Sequence, residues 1–197
     1  MILWFATGNL HKRNELAAIL RGHTIRTPRE GGFHFDPGET GATFLENALI
    51  KAGALYRLVR EPVIADDSGL CVDALGGRPG IYSARYGSRG GEKPDDSRRN
   101  ALLLAELGDT PRRSARFVCA MALFLGEDRF CAAQETLEGE IAGSPGEARG
   151  SGGFGYDPIF YLPEKGCTVA ELSEGEKNLI SHRGKAARVI ARLLAGG

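Results

Sequence analysis

The chain opens on a short continuous apolar run, Ile2 to Ala6, which reads as a buried strand. Thr7-Gly8-Asn9 breaks that run, and Asn9 is placed to cap a helix carrying Leu16, Ala17, Ile19 and Leu20 on one face. Thr24 to Thr27 is a second candidate strand. Arg29 to Gly41 is rich in glycine and proline and reads as a loop long enough to carry function. Phe44, Leu45, Ala48, Leu49, Ala52, Leu55, Tyr56 and Val59 then recur near the helical period, the strongest helix signal in the chain. Thr43 and Glu46 fit a capping box at its start. Thr43, Asn47 and Lys51 stack at four-residue spacing on what the pattern makes the polar side.

Beyond Pro62, Val63-Ile64-Ala65 predicts a short buried strand that runs out into a turn at Asp66-Asp67-Ser68-Gly69. Gly76 to Gly91 is a glycine-rich, basic loop, and Asp95 to Leu107 reads as a helix. Ala115 to Leu125 and Arg129 to Leu137 predict an antiparallel pair joined at Gly126-Glu127-Asp128. Gly150 to Asp157 is a tight glycine cluster. Ser173-Glu174-Gly175-Glu176 fits another capping box, and Ala186, Val189, Ile190, Leu193 and Leu194 predict a closing amphipathic helix. Strands alternate with helices early and pair as a hairpin late, which predicts an α/β fold with a mixed sheet. No repeat or linker divides the 197 residues, so the chain reads as one domain, residues 1–197.

Charge narrows the partners. Lys and Arg number 25 against 25 Asp and Glu, and this balance argues against binding along a nucleic-acid polymer or an anionic membrane surface. Small charged ligands need only local charge. Cys71, Cys119, Cys131 and Cys167 show neither a C-x-x-C pair nor zinc-site spacing, which predicts free thiols and a reducing compartment. The first apolar run is too short for a signal segment, and no stretch approaches the roughly 20 apolar residues of a membrane span. A cytoplasmic protein is expected.

Several segments carry candidate chemistry. Thr7-Gly8-Asn9-Leu10-His11-Lys12 lies at a strand-to-helix turn, where helix-start amides and the dipole attract phosphate and Lys12 adds a point charge; the plain alternative is a capped helix with a solvated lysine. Of the adjacent Asp66 and Asp67, one can ligate a metal while the other supports it or activates water, and Mg²⁺ suits such oxygen donors; ordinary turn chemistry is the alternative. Glu39 is a candidate second carboxylate for the metal. Lys51 is either a solvated lysine or a phosphate contact aligned with Asn47. Phe154-Gly155-Tyr156-Asp157 offers rings to stack on a flat heterocycle and polar groups for its edge, against a bland role in the core. Lys177, His182 and Arg183 cluster near the start of the last helix, where they suit an electronegative group; the plain alternative makes His182 a surface residue or a neighbour of the helix cap. No serine sits in a G-x-S-x-G turn and no histidine pairs with an acid in sequence, so covalent catalysis has no support.

Taken in order, these segments resemble the inosine triphosphate pyrophosphatase family. The motifs are Thr7-Gly8-Asn9 with Lys12 and Glu15; Glu39-Thr40-Gly41 with Thr43-Phe44, Glu46-Asn47-Ala48 and Lys51-Ala52; and Ala65-Asp66-Asp67-Ser68-Gly69-Leu70. Pro79 to Tyr86, Gly153 to Pro158, Glu176-Lys177-Asn178 and Ser181-His182-Arg183 complete the set, so the likeness spans nearly the whole chain. His11 and the stretch from Gly87 to Lys93 are not family signatures.

The resemblance implies a two-lobed α/β fold with a long mixed sheet flanked by helices, a nucleotide cleft between the lobes, and a homodimer. It implies hydrolysis of the non-standard purine nucleotides ITP, dITP and XTP to monophosphate and pyrophosphate with Mg²⁺, for which Mn²⁺ is a possible substitute. Carried over by position, Thr7, Gly8, Asn9, Leu10, His11 and Lys12 hold the phosphates, and Lys51 helps neutralise the leaving group. Asp67 is the catalytic base and a metal ligand, Glu39 a further ligand, and Ser68 a substrate contact. Phe154, Gly155, Tyr156, Asp157, Lys177, His182 and Arg183 surround the base and sugar; donor–acceptor complementarity further predicts that His182 and Arg183 donate to the oxygen at position 6. Two other readings are a pyrophosphatase for modified pyrimidine or methylated nucleotides, and a nucleotide-sensing module without turnover. Asp66-Asp67 and Lys12 count against the sensor, which needs no activated water.

Overall fold

The computed structural model describes residues 1–88, 90, 92 and 94–195. Arg89 and Gly91 of the loop expected from Gly76 to Gly91, and Lys93 beyond it, lie outside the described residues. The strands are β1 (Ile2–Phe5), β2 (Thr24–Arg26), β3 (Val63–Val72), β4 (Ser114–Phe124), β5 (Phe130–Ile141), β6 (Phe160–Leu162) and β7 (Cys167–Thr168). The helices are α1 (Leu10–Ile19), α2 (Phe44–Val59), α3 (Asp96–Leu107), α4 (Glu174–Ile180) and α5 (His182–Ala195). The seven strands form one sheet in the order β2-β1-β3-β4-β5-β6-β7. β1 runs parallel to β2 and β3, whereas β6 is antiparallel to β5 and β7. The mixed α/β sheet expected from the sequence is therefore present.

The chain divides into two compact units. One comprises Met1–Ser68, Cys119–Thr136 and Ile180–Gly197, the other Gly69–Val118 and Leu137–Leu179. The divisions fall inside β3, β4 and β5, so three strands pass from one unit into the other.

In the first unit, alternation along the strands separates two cores. Leu3, Phe5, Ile64, Cys119, Met121 and Leu123 pack with Leu16 of α1 and Ala186, Ala187 and Ile190 of α5. Trp4, Ala6, Val63, Ala65, Ala120 and Ala122 face the other way, onto Ala48, Ala52 and Leu55 of α2. Helices thus cover both sheet faces, which is why these strands read as unbroken apolar runs rather than alternating ones. In the second unit, Leu103, Leu104 and Leu107 of α3 are buried, and the Phe117 and Phe160 rings pack 4.5 Å apart.

The caps follow the sequence reading with one change. Asn9 Oδ1 accepts from the His11 and Lys12 amides at 2.9 and 3.3 Å, capping α1. Thr43 Oγ1 accepts from the Glu46 amide at 3.1 Å, but Glu46 returns to the Ala42 amide rather than to the cap residue itself. The box ahead of α4 is complete, with Ser173 and Glu176 bonded to each other. Three departures stand out. β3 does not stop at Ala65 but continues through the Asp66–Gly69 segment, because Leu70 and Val72 keep the strand buried beyond it. The loop beginning at Gly76 contains 3-10 turns of its own at Gly80–Arg85. Two short strands, β6 and β7, are too brief to leave a periodic signal. Among the described residues, no helix is long and apolar enough to cross a membrane.

Candidate active site

Successive residues of a strand point to opposite sheet faces. Because β3 runs on through position 68, Asp66 and Ser68 share the face of Ile64 toward α1 and α5, and Asp67 shares the face of Val63 and Ala65 toward α2. The two carboxylates therefore enter different surroundings.

Asp66 is the centre of a buried ion-pair group. Its carboxylate lies 3.0 Å from Lys12 Nζ on α1 and 3.1 Å from Arg183 Nε on α5, with only 1% of the side chain exposed. Arg183 is equally buried and also donates to Glu15 at 2.5 Å and to Ser68 Oγ at 2.8 Å. Burial alone would push the Asp66 carboxyl up, but the Lys12, Arg183 and Lys51 cations outweigh it and hold the group well below the usual carboxylate range. The Cys119 thiol beside it, 3.8 Å from Asp66 Oδ2, is pushed up to about 12 by burial and by that carboxylate, so it stays protonated and donates.

Asp67 meets α2. Asn47 Nδ2 donates to its Oδ2 at 3.2 Å and Lys51 Nζ to its Oδ1 at 3.0 Å. Burial raises the Asp67 carboxyl, and although Lys51 and Lys12 pull the other way, the net direction is upward. Two neighbouring aspartates are thus driven apart, one held as a firm anion and one made more basic.

Lys51 is not the solvated lysine that the pattern allowed. Its side chain is 10% exposed, and Nζ also contacts Glu39 Oε1 at 2.7 Å. Burial would lower its pKa, but Asp67, Asp66 and Glu39 together raise it, so it remains an ammonium. The face of α2 expected to be polar and solvated is polar but buried, since Asn47 and Lys51 supply partners to a charged strand. Asn47 Oδ1 also accepts from the Gly41 amide at 2.9 Å, which brings the Glu39-Thr40-Gly41 segment to the same place. A Cβ at Gly41 would meet Glu46 and Asn47 at 2.6 and 2.8 Å, so only glycine allows that approach.

Glu39 and Asp67 both contact one cation, the Lys51 ammonium. Two hard oxygen donors so arranged fit Mg²⁺, which keeps several waters and takes substrate phosphates as further ligands. Among the described residues no group of three or more His, Cys, Asp or Glu side chains forms a metal-sized cluster, and the fit rests on these two carboxylates. At the Thr7–Lys12 turn, Thr7 Oγ1 accepts from the Asn9 amide at 3.1 Å, while Leu10 and His11 are exposed. Two amides of that turn serve the Asn9 cap. His182 is 6% exposed at the first residue of α5.

The second unit holds its own group. Asp157 Oδ2 accepts from the Phe154 amide and from Lys177 Nζ, both at 2.8 Å, and Lys177 stands 4.7 Å from the centre of the Phe154 ring. Tyr156 is buried and donates to the Ser83 carbonyl at 3.0 Å, so of the two aromatic rings this one has the core role weighed from the sequence. Sequence reading passed over Asp96, Arg99 and Asn100 at the start of α3, and used Glu15 only as part of a motif. An asparagine ahead of an apolar helix stretch was the one available signal.

Comparison with known proteins agrees with the motif reading. A sequence model of the Ham1 family matches residues 3–193. The chain is 52% identical over 196 residues to the dITP/XTP pyrophosphatase of Treponema denticola, covering 100% of both chains. It is 51% identical over 185 residues to the dITP/XTP pyrophosphatase of Geobacillus kaustophilus, covering 92% of this chain and 88% of that one. The solved structure of the Staphylococcus aureus Ham1 protein superposes with a TM-score of 0.87 at 39% identity, covering 100% of this chain and 99% of the other.

Proposed function

Since the chain belongs to the Ham1 family, we propose that it hydrolyses non-standard purine nucleoside triphosphates, ITP, dITP and XTP, to the monophosphate and pyrophosphate. The observation that carries the reading is the split between Asp66 and Asp67. Asp67, raised by burial yet bonded by Asn47 and Lys51, is the base that takes a proton from the attacking water. The water oxygen bonds to phosphorus, the anhydride between the α- and β-phosphates breaks, and pyrophosphate leaves with the bonding pair.

Lys12 and the Thr7–Lys12 turn bind the phosphate chain, and Lys51 faces charge that grows on the leaving group. Asp66 holds Lys12 in place through the 3.0 Å pair. Ser68 is a substrate contact whose hydroxyl is oriented by Arg183. Glu39 and Asp67 would hold Mg²⁺, with Mn²⁺ a substitute; when bound, the ion neutralises triphosphate oxygens. Phe154, Gly155, Asp157 and Lys177, together with the Tyr156 backbone, His182 and Arg183, serve the base and sugar. Arg183 donates to Asp66, Glu15 and Ser68, which fixes its guanidinium in place.

The chain acts as one domain, as a homodimer in the cytoplasm, on free nucleotides rather than nucleic-acid polymers. Its zero net charge and free cysteines support that setting. The test is pyrophosphate release from ITP, dITP, XTP, ATP and GTP, each with Mg²⁺, with Mn²⁺ and with chelator. Selective release from the first three, dependent on the divalent ion, supports the reading. Equal turnover of ATP and GTP, or none of any nucleotide, overturns it.

A further inference from the structure

One residue of the Phe154–Asp157 segment is held from both sides by α3. Asp96 Oδ2 accepts from the Gly155 amide at 2.5 Å, and Asn100 Nδ2 donates to the Gly155 carbonyl at 3.1 Å. Asp96 and Asn100 stand four residues apart and so share one face of the helix. Both backbone polar groups of a single residue thus go to one rigid element. Gly155 has φ +68°, in the left-handed region where a side chain is strained, so its conformation is one that glycine permits and the helix then secures.

The clamp is itself braced. Arg99, between the two, pairs with Asp96 and donates to the Ala84 and Pro94 carbonyls at 3.2 and 2.6 Å. Asn100 Oδ1 is buried with no hydrogen-bond partner among the described residues. A leucine of similar shape would bury no orphan oxygen there, so what the amide supplies at this position is its bond to Gly155.

We propose that Asp96 and Asn100 are positioning residues for base recognition, holding Gly155 so that the Phe154 ring and the Asp157–Lys177 pair present a fixed surface to the purine. The inference rests on reading Phe154–Asp157 as the base contact. A base bound alike in ground and transition states contributes to KM rather than to kcat. The clamp therefore acts on KM.

The experiment compares Asn100→Leu, Asp96→Ala, Asp96→Asn and Phe154→Ala, with ITP as substrate and inorganic tripolyphosphate as a baseless competitor. Asn100→Leu should keep the parent melting temperature or raise it, while KM for ITP rises by about 3- to 10-fold, the loss of one ordering hydrogen bond. Its kcat should stay within about 2-fold and tripolyphosphate inhibition should not change. Asp96→Ala should act in the same direction, and Asp96→Asn, which keeps an acceptor, should recover most of the loss. If Phe154→Ala raises KM but Asn100→Leu and Asp96→Ala do not, the clamp is wrong and the base contact stands. If Phe154→Ala also leaves KM unchanged, the base contact is wrong and the clamp falls with it. Tripolyphosphate inhibition weakening in step with KM would mean general loosening, which also overturns the positioning role.

Discussion

Asp66 and Asp67 are adjacent in the chain yet face opposite sides of the same strand, one onto Lys12 and Arg183 and the other onto Asn47 and Lys51. The pleat places one carboxylate among cations that keep it ionised and the other in a buried position that raises its pKa. Their different surroundings follow from a one-residue step.

Asp67→Asn should retain the fold and lose most turnover. The amide keeps the shape but accepts from only one of Asn47 and Lys51 and takes no proton, and losing a positioned base costs about 10²–10⁴ in rate. Pyrophosphate release alongside a thermal melt checks both halves; near-parental kcat would remove Asp67 from the chemistry.

Asp66→Asn should destabilise the protein, since it leaves Arg183 and Lys12 without their shared anion. Breaking a buried pair from one side costs roughly 3–5 kcal/mol. There is also a pH signature. The folded carboxyl lies below its ordinary value of 3.8, so its contribution is present above that value and is lost as pH falls through the folded one. Urea unfolding from pH 6 down to pH 2, a window of about four units, should show the parent losing stability faster than Asp66→Asn; parallel curves would contradict the assignment.

Lys51→Met should move the acid limb of the kcat/KM profile to higher pH. The ammonium favours ionised Asp67, so its removal leaves burial to raise that carboxyl further. A limb that stays in place, or shifts to lower pH, would show that Lys51 does not set the basicity of the active carboxylate.

Lys12→Ala should weaken ITP and XTP by the same proportion, because the two substrates share the phosphate chain and differ only in the base. Steady-state kcat/KM for both substrates measures it. A loss that depends on the base would put Lys12 in a different subsite. This variant also removes one cation from Asp66, so a lower melting temperature is expected beside the kinetic effect.

How much of this was written in the chain can be read from particular residues. The apolar run Ile2 to Ala6, the Asn9 cap and the periodicity from Phe44 to Val59 specify local elements through short-range physics, and all three stand in the structure. The Asp66-Asp67 and Phe154-to-Asp157 motifs stand out as candidate chemistry by residue type alone. Tertiary packing decided the rest. The turn expected at Asp66 is strand because Leu70 and Val72 are buried beyond it, a contact the local window does not contain. Lys51 is open in the sequence between a solvated lysine and a phosphate contact because helical spacing does not show what other elements bring to it, and its environment is set by Glu39 and Asp67. Asp96 and Asn100 gained a role only when α3 met Gly155, 59 and 55 residues along the chain. Periodicity and caps act within a few residues and are legible in sequence, whereas desolvation and charge pairing depend on which distant groups share a small dry volume, and that is determined only once the chain has folded.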